Sequence, residues 1–442
     1  MPHAGASLSD RRIVYAPLML SILLLTAAFA QDPAAADPPP APPNAVATAP
    51  DAEPEKAQPW DRVGWGWGGL PAVNYNSDEG FGAGIVASLY RYNGELQPYK
   101  TAFDLILFAT TFGGHAHSLT IDWLEVSGEP VRITTRIGLA ATRAQPYCGL
   151  GSTPTCDTRD AVRALGLDSI EDDEDAVRRF YQLRYVNPNA RADVRWAFDP
   201  MPHRMELLAG YRFNYLIPGT FTEAGPWPGS LWDLADGEDE EGLVSVLQTG
   251  VMFDNRDNEP APTSGYWHEV TIRGAHKFWA SDYNYFGYNL TARTYLTLAP
   301  RLVWANRVVL DGIVGDAHIE ELGRPGGTVR YYMYGEQRAG RGIRLTRFAG
   351  RVKNMEQTEL RWTFISAPVF KIPVDITLVG FGDFGFVAQD WRNLNELARP
   401  LPSTGGGLRF AIDKNFIVRT DVGVSAFEDW SPSIYIDLKN LF

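Results

Sequence analysis

The sequence predicts an all-β protein: a transmembrane antiparallel β-barrel of about sixteen strands. Three observations predict it. The chain begins with an export signal, apolar and polar residues alternate with a period of two over most of its length, and its connections alternate between short and long.

Arg11 and Arg12 precede the apolar run APLMLSILLLTAAFA, and Ala28-Phe29-Ala30 ahead of Gln31 has the small-x-small form of a cleavage site. The run is shorter than the ~20 apolar residues of a bilayer helix, so residues 1–30 read as a signal peptide, not an anchor. Residues 31–59 are mostly Ala, Pro and acid. They cannot bury enough apolar surface to offset chain entropy and read as a disordered tether. The barrel is assigned to 60–442, where Gly, Trp, Tyr and Phe abound and no apolar run is long enough to cross a membrane as a helix. A formal charge of -13 argues against nucleic acid as a partner.

Period two is clearest near the end. Ile434, Ile436, Leu438 and Phe442 share one face, and Tyr435, Asp437 and Lys439 share the other. Before them, Phe416, Val418, Val422 and Val424 oppose Arg419, Asp421 and Ser425, across the turn DKN from Leu408, Phe410 and Ile412. Upstream, Phe103, Leu105 and Leu107 oppose Asp104, and Leu119, Ile121 and Trp123 oppose Thr120 and Asp122. Soluble sandwiches alternate too, but they rarely set lone Arg, Asp and Glu at successive positions of long strands. Charged faces of both signs opposite aromatic-rich faces suit a closed wall with lipid outside and a wet lumen. The connections agree: SGEP, DPMPH, LAPR and DKN are short, whereas 144–180, 217–242, 314–353 and 388–402 are long, as expected of periplasmic turns and external loops. Cys148 and Cys156 lie close together in a Gly/Ser/Thr/Pro stretch of an exported chain, and a loop disulfide is expected.

The stretch AGRGIRLTRFAGRVKNMEQTELRW, 339–362, closes the longest of those connections and runs into the next strand. Through Gly340, Arg341, Gly342, Ile343 and Arg344, with Asn354 and the Glu359-x-Arg361 strand downstream, it resembles the sixth-loop signature of the BamA/TamA superfamily of outer-membrane assembly and translocation barrels, usually Val-Arg-Gly-Phe/Tyr-Arg. Gly340 and Ile343 stand where the family has valine and an aromatic. Asp254, Arg256, Asp257, Pro262, Gly265 and Glu269 resemble the family's turn motif, and Asp383 with Gly385 its lumenal Asp-x-Gly. The resemblance implies a long sixth extracellular loop folded into the lumen, with Arg341 on Asp383 and near Glu359, and a terminal Phe442 read by the barrel-assembly machinery as an insertion signal. Characterised members carry POTRA modules ahead of the barrel. Residues 31–59 cannot house one, so a member without POTRA domains is expected.

Signs of catalysis are thin. GWGWGG satisfies Gly-x-Gly-x-x-Gly but opens a strand pattern with no helix to hold a pyrophosphate, and reads as a barrel-start turn. The histidines lack ligand spacing, and the acidic runs lack the pattern of a calcium loop. The expectation is a monomeric, non-enzymatic outer-membrane barrel with no cofactor. Its partners would be outer-membrane lipid and lipopolysaccharide, the machinery that inserts it, and a protein or lipid cargo that it moves or inserts. The alternative is a passive channel or a structural surface protein. A competing view of the loop has Arg338, Arg341, Arg344, Arg347 and Arg351 facing outward onto lipopolysaccharide phosphates.

Overall fold

The computed structural model describes residues 63–442 apart from 77–79, 154–155, 199–203, 221–222, 225–228, 235–240, 370–371 and 413–415. The signal peptide, the tether and the DPMPH and DKN turns lie outside the described residues. The strands are β1 (Val63–Asn76), β2 (Gly80–Asn93), β3 (Thr101–Thr110), β4 (His115–Trp123), β5 (Val131–Pro146), β6 (Gln182–Phe198), β7 (Arg204–Thr220), β8 (Glu223–Ala224), β9 (Gly242–Asp254), β10 (Gly265–Ala275), β11 (Tyr285–Ala299), β12 (Leu302–Gly315), β13 (Val352–Val369), β14 (Ile372–Ala388), β15 (Leu401–Ile412), β16 (Phe416–Val424) and β17 (Ser433–Leu438). All but β8 form the wall. Each is antiparallel to the next, and β7 pairs directly with β9 because β8 only extends the end of β7 within a loop.

Period two produces the wall because successive side chains point to opposite faces. Along β13, Leu360 and Trp362 are 49% and 51% exposed, whereas Glu359 and Arg361 are buried. Ile434 and Ile436 on β17 face outward in the same way. The outer face is therefore apolar and suited to lipid, and the charges of both signs lie inside.

The connections sort by end, as expected. Residues 147–181, 316–351 and 389–400 join strands at one end of the barrel, and 94–100, 124–130 and 300–301 join them at the other. The connection 255–264 belongs to the short-turn, periplasmic end, yet it is longer than a tight turn and folds over the lumen floor, where Arg132 on β5 reaches its Glu259 at 3.0 Å. At the long-loop end, Cys148 and Cys156 are disulfide-bonded, with Cα atoms 5.2 Å apart. Gly151 donates to the Ala349 carbonyl, which ties this loop to the one spanning 316–351.

The largest packed core lies in the lumen. Tyr331, Met333, Tyr334, Ala339, Ile343 and Phe348 of the 316–351 connection pack against Val309, Met355, Val387 and Leu401 of the wall.

Two expectations about the ends are corrected. GWGWGG lies inside β1 and is not a turn. The alternation does not run on to Phe442: β17 stops at Leu438, and Lys439 adopts φ 68°. That left-handed residue swings the tail inward. Asn440 donates to the Pro260 carbonyl at 3.0 Å, and Leu441 and Phe442 are buried against Tyr295 and Ala305. Phe442 therefore faces the lumen, not lipid.

Candidate functional site

The 316–351 connection is the sixth external loop, and its tip enters the barrel because the wall offers carboxylates there. Glu359 of β13, Asp383 of β14 and Asp421 of β16 all point inward by strand parity and are buried. The Arg341 guanidinium sits among them. Its Nη2 and Nε donate to Asp383 at 2.9 and 3.1 Å, and its Nη1 donates to Glu359 at 2.8 Å and to Asp421 at 3.2 Å. Its backbone N–H also donates to Asp383, and its guanidinium carbon lies 3.4 Å from the centre of the Phe381 ring. Burial alone would lower the Arg341 pKa, but Asp383 and Glu359 outweigh it and push it above the ordinary arginine value. A planar fork meeting carboxylates on several sides is an arrangement that lysine cannot reproduce.

Excess acid is balanced by further arginines. Arg361 pairs with Glu359 at 2.9 Å, Arg409 with Asp421 at 2.7 Å, and Arg419 with Asp437 at 2.8 Å. The rest of the tip is seated by shape. Gly342 has φ +99°, and a side chain there would meet the Val424 nitrogen at 2.4 Å, so the loop backbone lies directly on β16. Gly385 lies against the Tyr334 ring of the loop. It leaves space for that ring, whose hydroxyl donates to the Phe386 carbonyl at 2.8 Å. Ile343 is buried, and the Arg344 side chain is half-exposed while its N–H donates to Glu428 at 2.9 Å.

The outward view of the arginines is not what the structure has for most of them. Arg338 pairs with Asp437, Arg347 with Glu428 and Arg351 with Asp390.

A second anchor upstream was not visible in the sequence. Glu321 of the loop accepts from Arg212 at 2.7 Å, Tyr285 at 2.7 Å and Arg330 at 3.0 Å. Burial would raise its pKa, but Arg212, Arg330 and Arg273 hold it well below the carboxylate range. Asp311 of β12 binds Arg273 and Lys353, each at 2.8 Å, and accepts the Gly326 N–H. Glu269, named above within the turn motif, accepts both the N–H and the hydroxyl of Thr328. The loop is thus fastened at 321–328 and again at 341. In the turn motif itself, Arg256 forks onto Asp254 at 2.7 and 2.9 Å, Asp257 accepts from Thr263 and Ser264, and Gly265 begins β10.

The Omp85 superfamily domain matches residues 172–419, more than half of the chain and all of the sixth loop with Glu359 and Asp383, while Asp421 lies just past its end. The chain belongs to the Omp85 superfamily. Among solved structures this Omp85 barrel is similar to CdiB from Escherichia coli, at TM-score 0.52 and 11% identity over 88% of this chain. It spans 62% of that chain's length. It is also similar to BamA from Haemophilus ducreyi lacking POTRA domains 1-3, at TM-score 0.43 and 13% identity over 86% of this chain and 69% of that one. The CdiB likeness shows the fold. No curated protein sequence matches the chain. Superfamily membership and the lipid-facing wall make it an integral protein of the bacterial outer membrane, and connect it at a general level with insertion or translocation there.

Proposed function

We propose that the barrel assists insertion or translocation of a hydrophobic or amphipathic cargo, protein or lipid, by opening the boundary between β1 and β17 while the sixth loop stays locked in the lumen. It does so without enzymatic chemistry. The observation that carries this reading is the boundary itself. The wall is laddered from β1 through to β17, yet among the described residues no register joins β1 to β17. β1 has fourteen residues and β17 has six, so much of the β1 edge has no partner strand of matching length. An unpaired edge facing lipid is costly and is expected to pair with another extended segment. What holds the boundary is side-chain contact: the Phe416 ring covers the Gly68 backbone, and Lys439 reaches Asp104 on β3 at 2.8 Å.

The test is to tie the boundary. In a Cys148→Ser/Cys156→Ser background, Gly68→Cys with Phe416→Cys is oxidised, and delivery of outer-membrane polypeptides or lipid is followed in cells depleted of the wild-type protein. Loss on oxidation and recovery on reduction are expected; unchanged delivery with complete cross-linking would remove the boundary from the mechanism. Single-channel recording addresses the passive pore, for which a steady conductance independent of the loop would speak.

A further inference from the structure

Lumenal ladders place arginine opposite arginine at Arg132–Arg195, Arg136–Arg191, Arg191–Arg212, Arg293–Arg307 and Arg409–Arg419. Like charges directly opposite destabilise a sheet unless they are neutralised. In four of these pairs a carboxylate does so: Asp122 on Arg132, Asp193 on Arg191 in both of its pairs, and Asp421 on Arg409. Arg293–Arg307 is different. Among the described residues neither member has a carboxylate partner, and both are at least nine-tenths buried. Arg307 donates to the Gln357 side chain and the Arg338 carbonyl, and its Nη1 has no partner. The Arg293 guanidinium carbon lies over the Trp267 ring, 4.1 Å from its centre, and its Nε has no partner.

Arg293 also borders a cavity of about 290 Å³ at the periplasmic end of the lumen, floored by the 255–264 connection and the inward tail. The other cations around it are spent: Arg132 on Asp122 and Glu259, Arg195 on Glu206, Arg256 on Asp254, Arg338 on Asp437 and Lys439 on Asp104. So are its acids, since Asp193 is held by Arg191 and Gln248. Among the described residues Arg293 is the lining cation left without an ion pair, with Arg307, also without one, across the ladder behind it.

We propose that this vestibule binds a phosphomonoester, with the phosphate on the free edge of Arg293 and the remainder of the ligand beside Trp267 and Phe442. A guanidinium edge without an ion pair matches phosphate oxygens as a planar fork, and the second guanidinium behind it adds to the positive field, which the roughly two negative charges of a phosphomonoester near neutral pH answer better than the one of a carboxylate. The cavity is of the size of a small-ligand pocket and too small for a folded polypeptide segment. The chemistry is shared by a soluble phosphomonoester and a lipid headgroup bearing one. The site is independent of whether the barrel moves cargo.

The folded full-length protein in phosphate-free detergent micelles is titrated with glycerol 3-phosphate and, separately, with dihexanoyl phosphatidic acid. Binding is read from the fluorescence difference against Trp267→Phe and from phosphorus NMR line width. Saturable binding is expected. It should weaken at least about tenfold in Arg293→Gln, as for loss of a charge-assisted hydrogen bond, and weaken in the wild type as pH falls below about 6, where the phosphate gains a proton. Binding of both ligands supports the site with a soluble source; binding of the lipid alone supports it with a lipid source. No binding of either ligand, or equal affinity in Arg293→Gln, overturns it. If Arg293→Gln loses the fast-migrating unboiled form that marks a folded barrel, Val329→Phe decides instead. It fills the cavity and leaves Arg293 in place, so retained affinity overturns the proposal.

Discussion

Around Arg341, carboxylates from three strands converge on one guanidinium with no exposed surface. Across the β1–β17 boundary, the same wall is held by an aromatic ring over a glycine and an ion pair whose lysine is half-exposed. The difference is one of cost. Buried charges cannot be separated without leaving carboxylates unpaired in a low-dielectric interior, whereas an exposed pair trades readily for water. If any part of this barrel moves, physical chemistry selects the boundary as the mobile part and the loop as the fixed one.

The largest effect should come from breaking the fixed part. Arg341→Ala leaves Glu359, Asp383 and Asp421 facing one another and should cost about 3 to 5 kcal/mol, read as a lowered unfolding temperature in micelles and new protease cutting within 316–351. Arg341→Lys should recover little, because an ammonium is not a fork. A double-mutant cycle with Asp383→Ala sharpens the comparison. The two losses should be strongly non-additive, and strictly additive losses with an equally protected loop would mean that the pair does not anchor it.

Next in size is the seat beside the lock. A methyl at Gly385 would lie 2.4 Å from Tyr334 Cε1 and 3.3 Å from Met355 Cε, against the buried lumenal cluster. Gly385→Ala should therefore cost about 1 to 3 kcal/mol and loosen the loop while leaving the Arg341 ion pairs in place. A variant as stable as the wild type would mean that Tyr334 has another place to go.

How much of this was legible depended on how local the signal was. Period two gave the wall, and parity within a strand put Glu359 opposite Leu360 and Asp383 opposite Phe384, so the inward face of each could be read without coordinates. Asp421 was also on a polar face, but its meeting with Arg341 depends on the registers β13–β14, β14–β15 and β15–β16 together, which no local pattern encodes. Glu321 and Asp311 were invisible for the same reason: each is one acid among many in a lumen lined with both signs. The tail was misplaced because alternation extrapolates past a strand's end, and a left-handed residue at Lys439 has no periodic signature. The glycine-rich opening was misread because Gly-x-Gly suggests a turn, whereas here Gly66 and Gly68 lie under the rings of Tyr92 and Phe416 within β1.

The lumen floor is intermediate between lock and boundary, and acid distinguishes it. Burial would raise the Glu259 pKa, but Arg132, Arg256 and Arg195 outweigh it and hold it at about 2, below the ordinary 4.5. A carboxylate with a depressed folded-state pKa contributes stability that is fully present above the unfolded value and is lost as pH falls through the folded one. The stability gap between wild type and Glu259→Gln should thus be constant above pH 4.5 and close as pH falls toward 2. A gap that does not change with pH would mean that Arg132 is satisfied by Asp122 alone. The side chain is 36% exposed, so the gap should be smaller than that at Arg341.

The smallest effect is expected at the boundary, and its smallness is informative. Lys439 is 49% exposed and pairs with Asp104 at 2.8 Å, on a tail that also positions Asn440 and Phe442. Such a pair contributes about 0 to 1 kcal/mol, so Lys439→Ala should leave the unfolding temperature of the whole barrel almost unchanged. It should nevertheless speed amide exchange in β17 and along the unpaired edge of β1, because a weak contact controls local opening even when it adds little to global stability. Exchange confined to β1 and β17, with the Arg341 strands still protected, would locate the movable part at the boundary. Faster exchange spread equally over β13, β14 and β16 would show instead that lock and boundary open together, and the contrast between them would fail.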